Sequence, residues 1–372
     1  MHKKKKEHKK RGIGWTILRI FLGAAGILVL VLVVYIGYLF ASYHRIEDNL
    51  ELEVEKPAEG NVDETLKTGT EYSALTYNIG FGAYTPDFSF FMDGGKSSWA
   101  KSKESVLETV SGAGKLAASY DPDFALIQEV DLNSTRSYHV NEYELLKESF
   151  PEYDSVFAQN YDSAFLFYPF TQPHGRSRSG LALFSRYPVT SALRRSFPVS
   201  TSFTKFFDLD RCYSISRIPV ENGKELVIFE LHMSAYGNSD AIREGQISML
   251  CNDMEAEYEA GNYVLCGGDF NHDLKASEDD STGHESWAYP FPREDLPEHF
   301  TFCLDLLSEE EKDDLWDSAR NADMEYVPGV TYTVTLDGFI ISDNLECLSY
   351  ENINSGYSYS DHDPVYLKFK LK

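Results

Sequence analysis

The sequence predicts a layered α/β sandwich carried behind a single N-terminal membrane helix. Three features predict it. Short apolar, β-rich runs alternate with amphipathic stretches, several such runs follow one another with no helix between them, and an uncharged stretch of 22 residues follows a cationic start. The periods of 2 and 3.6 that separate strands from helices carry most of this reading.

At the N-terminus, Lys3, Lys4, Lys5, Lys6, Lys9, Lys10, Arg11 and Arg19 stand against one acid, Glu7, within residues 1–19. Residues 20–41 are uncharged. At ~1.5 Å per residue they are long enough to cross a ~30 Å hydrocarbon core. A cleaved signal peptide has a shorter apolar core and a small-x-small cleavage site. Leu39-Phe40-Ala41 matches that site poorly, so an uncleaved signal anchor is expected. The cationic flank stays in the cytoplasm, which places everything after Ser42 outside, at the cell membrane.

Residues 42–70 hold Glu47, Asp48, Glu51, Glu53, Glu55, Asp63 and Glu64 with few large apolar groups, and are expected to be an extended acidic linker. From 71 to 372 there is neither a second linker nor a repeat, so one globular domain is expected. Strands are predicted at 73–78 and 124–130, with a helix over 97–119 that puts Val106, Leu107, Val110 and Leu116 on one face. Further strands are predicted at 181–185, 226–232, 263–267, 336–342 and 365–371. A second helix over 240–260 turns Ile242, Met249 and Met254 to the core.

The chain has a net charge of −25. Removing the +7 of residues 1–19 leaves −32 for the rest, a balance that disfavours a polyanion-binding surface because phosphate contacts need Lys and Arg. The five cysteines, Cys212, Cys251, Cys266, Cys303 and Cys347, are widely spaced with no CxxC, so no disulfide framework is expected. With 24 Tyr and 24 Phe, most aromatic rings must serve the core.

Polar groups recur at one structural place, the end of an apolar strand. Asn78 closes Ala74-Leu75-Thr76-Tyr77, Glu129 closes Ala125-Leu126-Ile127-Gln128, and His232 closes Val227-Ile228-Phe229-Glu230-Leu231. Val264 and Leu265 run into Gly267-Gly268-Asp269-Phe270-Asn271, where the glycines leave room for a ligand to approach the backbone. Asp337 opens Gly338-Phe339-Ile340-Ile341-Ser342, and Ser360-Asp361-His362-Asp363 precedes the last strand. A polar strand end usually just meets solvent; six in one domain point to a shared site.

That ordered set resembles the endonuclease/exonuclease/phosphatase superfamily, which includes pancreatic-type deoxyribonuclease, bacterial sphingomyelinases and inositol-polyphosphate phosphatases. The resemblance spans roughly residues 72–372. It implies a four-layered α/β/β/α sandwich with two central mixed β-sheets, and hydrolysis of a phosphoester with a divalent metal, usually Mg²⁺, with Mn²⁺ as a substitute. In this resemblance Glu129, Asn78 and Asp361 hold the metal or its water, Glu129 as a hard oxygen ligand. Asp269 orients or deprotonates the attacking water, and Asn271 holds a phosphoryl oxygen. Asp337 pairs with His362, which contacts phosphate as imidazolium or carries a proton. His232 is implied as general acid to the leaving group. The abasic-site endonuclease branch has a carboxylate where this chain has Gly80 and a Tyr in place of His232, so that branch is disfavoured.

Outside this set, Arg176 and Arg178 in a glycine-flanked basic loop, and Arg211, are candidate phosphate contacts. Residues 165–170 read as a buried strand in preference to an exposed lipid-contacting hairpin. His272 either lines the site or faces solvent, residues 275–297 are expected to be a flap, and His174 is expected at the surface. These features predict a membrane-anchored, extracytoplasmic hydrolase whose partner is a lipid headgroup or small metabolite ester. A secreted-type nuclease is the alternative, and an inactive binding module a third reading.

Overall fold

A computed structural model describes residues 13–57, 65–206, 209–234, 240–276 and 288–372, in two units divided after His44. The first unit holds α1 (Ile13–Ser42). Its 30 residues span about 45 Å at the helical rise, and among the described residues it is the one helix long and apolar enough to cross a membrane. Ile, Leu, Val and Phe are exposed along its length. A helix apolar all round matches lipid, not water.

The second unit is built on two seven-stranded mixed sheets. In chain order the strands are β1 (Leu50–Leu52), β2 (Val54–Glu55), β3 (Glu71–Asn78), β4 (Phe124–Asp131), β5 (Asp154–Asp162), β6 (Arg178–Ser185), β7 (Ser191–Ser196), β8 (Cys212–Pro219), β9 (Glu225–His232), β10 (Tyr263–Asp269), β11 (Phe300–Phe302), β12 (Ala319–Arg320), β13 (Thr333–Val334), β14 (Asp337–Ser342), β15 (Leu345–Asn352) and β16 (Val365–Leu371). One sheet runs β1-β7-β8-β9-β10-β14-β11 and the other β15-β16-β3-β4-β6-β5-β2, while β12 and β13 pair separately. The pairs β3/β4 and β9/β10 are parallel; the other neighbours in both sheets are antiparallel.

The central strands are buried on both faces, which is why they read as near-continuous apolar runs. Helices α2 (Lys103–Ser119) and α3 (Glu142–Ser149) cover one outer face, packing Val106, Val110, Ala113, Ala117 and Leu146 against Ala125, Ile127 and Phe184. Between the sheets, Ala74, Leu126, Leu183 and Leu367 share a core with Ile228 and Leu265. Helix α4 (Asp240–Glu259) adds Ile247, Leu250, Cys251 and Met254 to that core. The result is the four-layered α/β/β/α sandwich.

Several local expectations differ from the structure. Helix α2 begins at Lys103, not at 97, because the Ser102 side chain accepts the Ser105 N–H and caps it. Leu107 is exposed, and the buried stripe is Val106, Thr109, Val110, Ala113 and Ala117. In α4 the inward face is set by Ile247 and Leu250, with Ile242 and Met249 half-buried.

The acidic stretch expected to be a linker forms β1 and β2, which pair with β7 and β5 at the two sheet edges. Leu50-Glu51-Leu52-Glu53-Val54-Glu55 alternates with period two, and Leu52 and Val54 pack on the core. Buried Arg194 holds this run in place. Its Nη1 donates to Glu47 O at 3.0 Å, its Nε to Gln159 O at 2.7 Å and its Nη2 to Asp210 O at 2.8 Å. Residues 165–170 form no strand. Pro169 and Pro173 have no N–H for a ladder, and Phe167, Tyr168 and Phe170 are 49, 64 and 84 % exposed.

Candidate active site

Register gathers the six strand ends. Asp269, last residue of β10, lies opposite His232 across the parallel pairing with β9 and opposite Asp337 across the antiparallel pairing with β14. On the facing sheet Asn78 ends β3 beside Gln128 of β4. Between Ile127 and Val130 the pairing of β4 with β6 slips, and Glu129 adopts φ +57°. This bulge frees Glu129 from the strict alternation of the strand and re-aims its carboxylate.

The two glycines have a different purpose from the one expected. A Cβ on Gly268, whose φ is +146°, would lie 2.1 Å from Leu231 O, and one on Gly267 would lie 2.5 Å from the Phe339 ring. They admit the neighbouring strand and the core, and through that closeness set Asp269 against His232.

Asn78 bridges the two sheets: its Nδ2 donates to Asp269 Oδ2 at 3.0 Å and to Glu129 Oε1 at 3.3 Å, while its Oδ1 accepts Gly80 N–H at 3.0 Å. Asp269 Oδ1 accepts the Asn271 N–H at 2.8 Å, and Asp269 Oδ2 lies 3.4 Å from His232 Nε2 and 3.8 Å from His362 Nε2. His362 Nδ1 lies 2.7 Å from Asp337 Oδ2, which also accepts from Ser318 Oγ at 2.7 Å. Asn271, at φ +51°, donates from Nδ2 to Met233 O at 2.9 Å and keeps its second N–H for another acceptor.

The electrostatics divide the two histidines. Burial lowers the His232 pKa well below its usual value, helped by the charges of Arg211 and His362, so the free site holds it neutral. Burial also opposes charge on His362, yet Asp337 and Asp269 overcome it and raise that pKa well above the usual value. Asp269 is pushed up to about 7, chiefly by burial, with Asp337 adding repulsion against the attraction of His362. Glu129 is raised by burial, and the charge of Asp361 adds to that against the pull of Arg136; Asp361 is likewise raised by burial.

Two carboxylates raised together mark where a cation would be welcome. Glu129 and Asp361 offer the hard carboxylate oxygens a Mg²⁺-type ion prefers, while Asn78 turns its amide N–H groups, not its oxygen, to Glu129 and Asp269. Asp269, Asp337 and His362 also bring ligand atoms within 4.8 Å of one another. That second group suits a metal less well, because an imidazolium has no lone pair to give and Asp337 is already bonded to it.

The remaining candidates separate. Arg176 is exposed and paired with Asp162 at 2.8 Å. Arg178 donates to Gln159 Oε1 at 3.2 Å and has a buried Nε with no acceptor. Arg211 is buried close enough to act on His232, and among the described residues its Nε and Nη1 have no acceptor. His272 is buried under Phe291 with Nδ1 2.6 Å from Phe270 O, and His174 is buried against Ser98. Of the expected flap, residues 277–287 lie outside the described residues; Phe291 is buried and Arg293 pairs with Asp305.

Sequence reasoning missed the supports. Arg136 forks onto Asp131 at 2.9 and 3.1 Å and lies 3.8 Å over the Phe81 ring, fixing the loop after β4 beside Glu129. Ser318 positions Asp337, and Ser360 donates to Asn78 O at 2.7 Å. Arg320, whose backbone N–H donates to Asp361 O at 2.8 Å, also favours the ionised form of Asp361 through its charge, against the effect of burial. Only the Asp131–Arg136 spacing left a signal, an acid and a base close together after an apolar strand.

No curated protein sequence matches the chain. Among solved structures it is similar to truncated TDP2 of Caenorhabditis elegans (TM-score 0.51, 14 % identity, covering 82 % of this chain and 99 % of that one). It is also similar to an endonuclease/exonuclease/phosphatase of Bacteroides vulgatus (0.53, 15 %, 82 % and 100 %). A third is TDP2 of D. rerio, solved with a single-strand DNA product (0.53, 14 %, 81 % and 100 %). Identities this low establish the fold alone. The sequence model described as the Endonuclease/Exonuclease/phosphatase family matches residues 75–302, more than half of the chain, and to that family the protein belongs.

Proposed function

We propose that the protein is a membrane-anchored, extracytoplasmic, Mg²⁺-dependent phosphoesterase acting on a phosphodiester or phosphomonoester of a lipid headgroup or small metabolite. The observation that supports it most is the Asp337–His362–Asp269–Asn78 network beside the Glu129 and Asp361 carboxylates. Mg²⁺ held by Glu129 and Asp361, with Asn78 steadying Glu129 through its amide N–H, would supply Lewis-acid stabilisation of charge on the phosphoryl oxygens. Asp269, with a pKa near neutrality, takes the proton of the attacking water, while Asn78 fixes which of its oxygens faces that water. His362 presents a cation to the phosphate and Asp337 holds its ring and charge. Asn271 donates to a phosphoryl oxygen with its second N–H, and Arg211 meets a substrate anion beside His232. His232, neutral in the free site, gains a proton as the anionic substrate arrives and passes it to the leaving oxygen.

The acidic chain and the apolar helix support a membrane-side or small ester over a duplex. A nuclease is the second reading, favoured by the DNA product bound in the zebrafish TDP2 neighbour. Residues 45–372 form their own unit and suit an assay with sphingomyelin, phosphoinositides, a bis-aryl phosphodiester, RNA and plasmid DNA, with and without Mg²⁺. Headgroup or small-ester turnover that needs Mg²⁺ and disappears in Asp269→Ala is the expected result. Dominant plasmid nicking would replace the first reading by the second, and no turnover of any substrate would sink both.

A further inference from the structure

Directly beneath the site, between the sheets, three polar side chains are fully buried: Thr76 of β3, Gln128 of β4 and Glu230 of β9. Each stands one or two residues behind a site group on its own strand, Thr76 behind Asn78, Gln128 behind Glu129 and Glu230 behind His232. Two residues further back, the same faces carry Ala74, Leu126 and Ile228, all members of the main apolar core. Thr76 Oγ1 donates to Gln128 Oε1 at 3.2 Å, and Gln128 Nε2 donates to Glu230 Oε1 at 3.3 Å. The second bond crosses from one sheet to the other.

Apolar side chains of the same shape would serve stability about as well, because a buried hydrogen bond contributes little net free energy. What such a link does is select one geometry. Gln128 is where that selection matters. It opens the β4 bulge, in which Gln128 and Glu129 have no register partner in β6. On its other side Gln128 pairs with Asn78, the last residue of β3. A bulge lets a strand bend locally, and a side chain fastened to the facing sheet removes that freedom.

We propose that Glu230 is a positioning residue for Glu129: its hydrogen bond with Gln128 across the sheets fixes the bulge that aims the Glu129 carboxylate. This rests on the reading of Glu129 as a Mg²⁺ ligand, and it makes Gln128 and Glu230 act on the ion without touching it. Burial pushes the Glu230 pKa well above the usual carboxylate value, so the link joins neutral groups and needs no counter-charge. In Glu230→Gln the Oε1 still accepts from Gln128 Nε2, and the link survives. Glu230→Met removes it with little change in side-chain length. Gln128→Met/Glu230→Met also removes the amide left unpaired.

The test uses the full chain in detergent. Mg²⁺ affinity is read by titration calorimetry, Tm by scanning calorimetry, and metal-free amide exchange over residues 124–131 by mass spectrometry. In the double variant Mg²⁺ should bind ~10–100-fold more weakly and the 124–131 segment should exchange faster, while Tm stays equal or higher. Glu230→Met alone should lose the same affinity and also Tm, because Gln128 is left without its acceptor. Glu230→Gln should match wild type in affinity and exchange. A double variant with wild-type affinity and exchange would overturn the positioning role, as would a loss in Glu230→Gln as large as in Glu230→Met. An affinity that only follows Tm across the three variants would mark a purely structural link and overturn it too. If the wild type binds no Mg²⁺, the reading of the metal site falls, and metal-free exchange alone decides whether Glu230 holds the bulge.

Discussion

Asp337→Asn isolates the charge that keeps His362 protonated. The Asn side chain keeps the shape, and its Oδ1 still accepts from His362 Nδ1, so the ring orientation survives while the carboxylate is lost. At the 2.7 Å separation the unscreened attraction is on the order of 6 kcal/mol for an effective dielectric of 20, against about 4 kcal/mol for Asp269 at 3.8 Å. Burial of the imidazolium takes back part of both, and neighbouring opposite charges typically shift a pKa by ~1–3 units. The pKa of His362 should therefore fall by roughly 1–3 units in the variant, which is about 1.4–4 kcal/mol. The direct readout is the His362 ring titration by NMR in metal-free protein. In hydrolysis of a bis-aryl phosphodiester, the alkaline limb of kcat/KM should move to lower pH by the same interval, and the acid limb, set by Asp269, should also move down as the repulsion from Asp337 is lost. Stability follows with a definite sign. A histidine whose folded pKa is raised stabilises the fold below its unfolded pKa and loses that contribution as pH rises through the folded value. The variant should lose most of it at pH values below the folded pKa and differ little from wild type in this contribution above it. An unchanged His362 titration and an unmoved alkaline limb would refute the assignment of its charge to Asp337.

Other substitutions test different parts of the site. Glu129→Gln should weaken Mg²⁺ binding at least ~10-fold by calorimetry, yet leave the metal-free Tm equal or higher, because burial and Asp361 already disfavour that charge. Arg136→Met removes one side of a buried ion pair and should cost about 3–5 kcal/mol in urea unfolding; a loss under 1 kcal/mol would deny Arg136 its anchoring part. Gly268→Ala should leave little folded protein by circular dichroism, since its Cβ would overlap Leu231 O and φ is +146°. Chelation should abolish turnover and added Mg²⁺ restore it; turnover unaffected by chelation would remove the metal from the reading.

The residues of the candidate site were legible because each closes or opens an apolar strand, and an apolar strand is the clearest local signal a chain carries. Asn78, Glu129, His232, Asp269, Asp337 and His362 could be found one by one in this way. The groups that hold them could not. Arg136, Ser318, Ser360 and Arg320 lie on turns or short strands, where no period marks them, and their partners are fixed only by tertiary placement. Edge strands β1 and β2 were hidden for another reason. Their alternation of Leu and Glu looks like a solvated acidic run when composition is weighed before period.

The glycines before Asp269 show how far a correct motif can carry a mistaken cause. Small residues at a strand end suggest space for a ligand, and the sequence offers no way to see that Leu231 O and the Phe339 ring already fill it. What the closeness achieves is register. With β9 on one side and β14 on the other, Asp269 is paired directly with both His232 and Asp337. Asn78 then reaches it across the interface from the facing sheet. A carboxylate held from three directions by rigid strands loses little entropy on binding substrate, and its raised pKa follows from the same enclosure. The two glycines therefore act on the chemistry through packing: they bring the strands close enough for one buried carboxylate to serve the network.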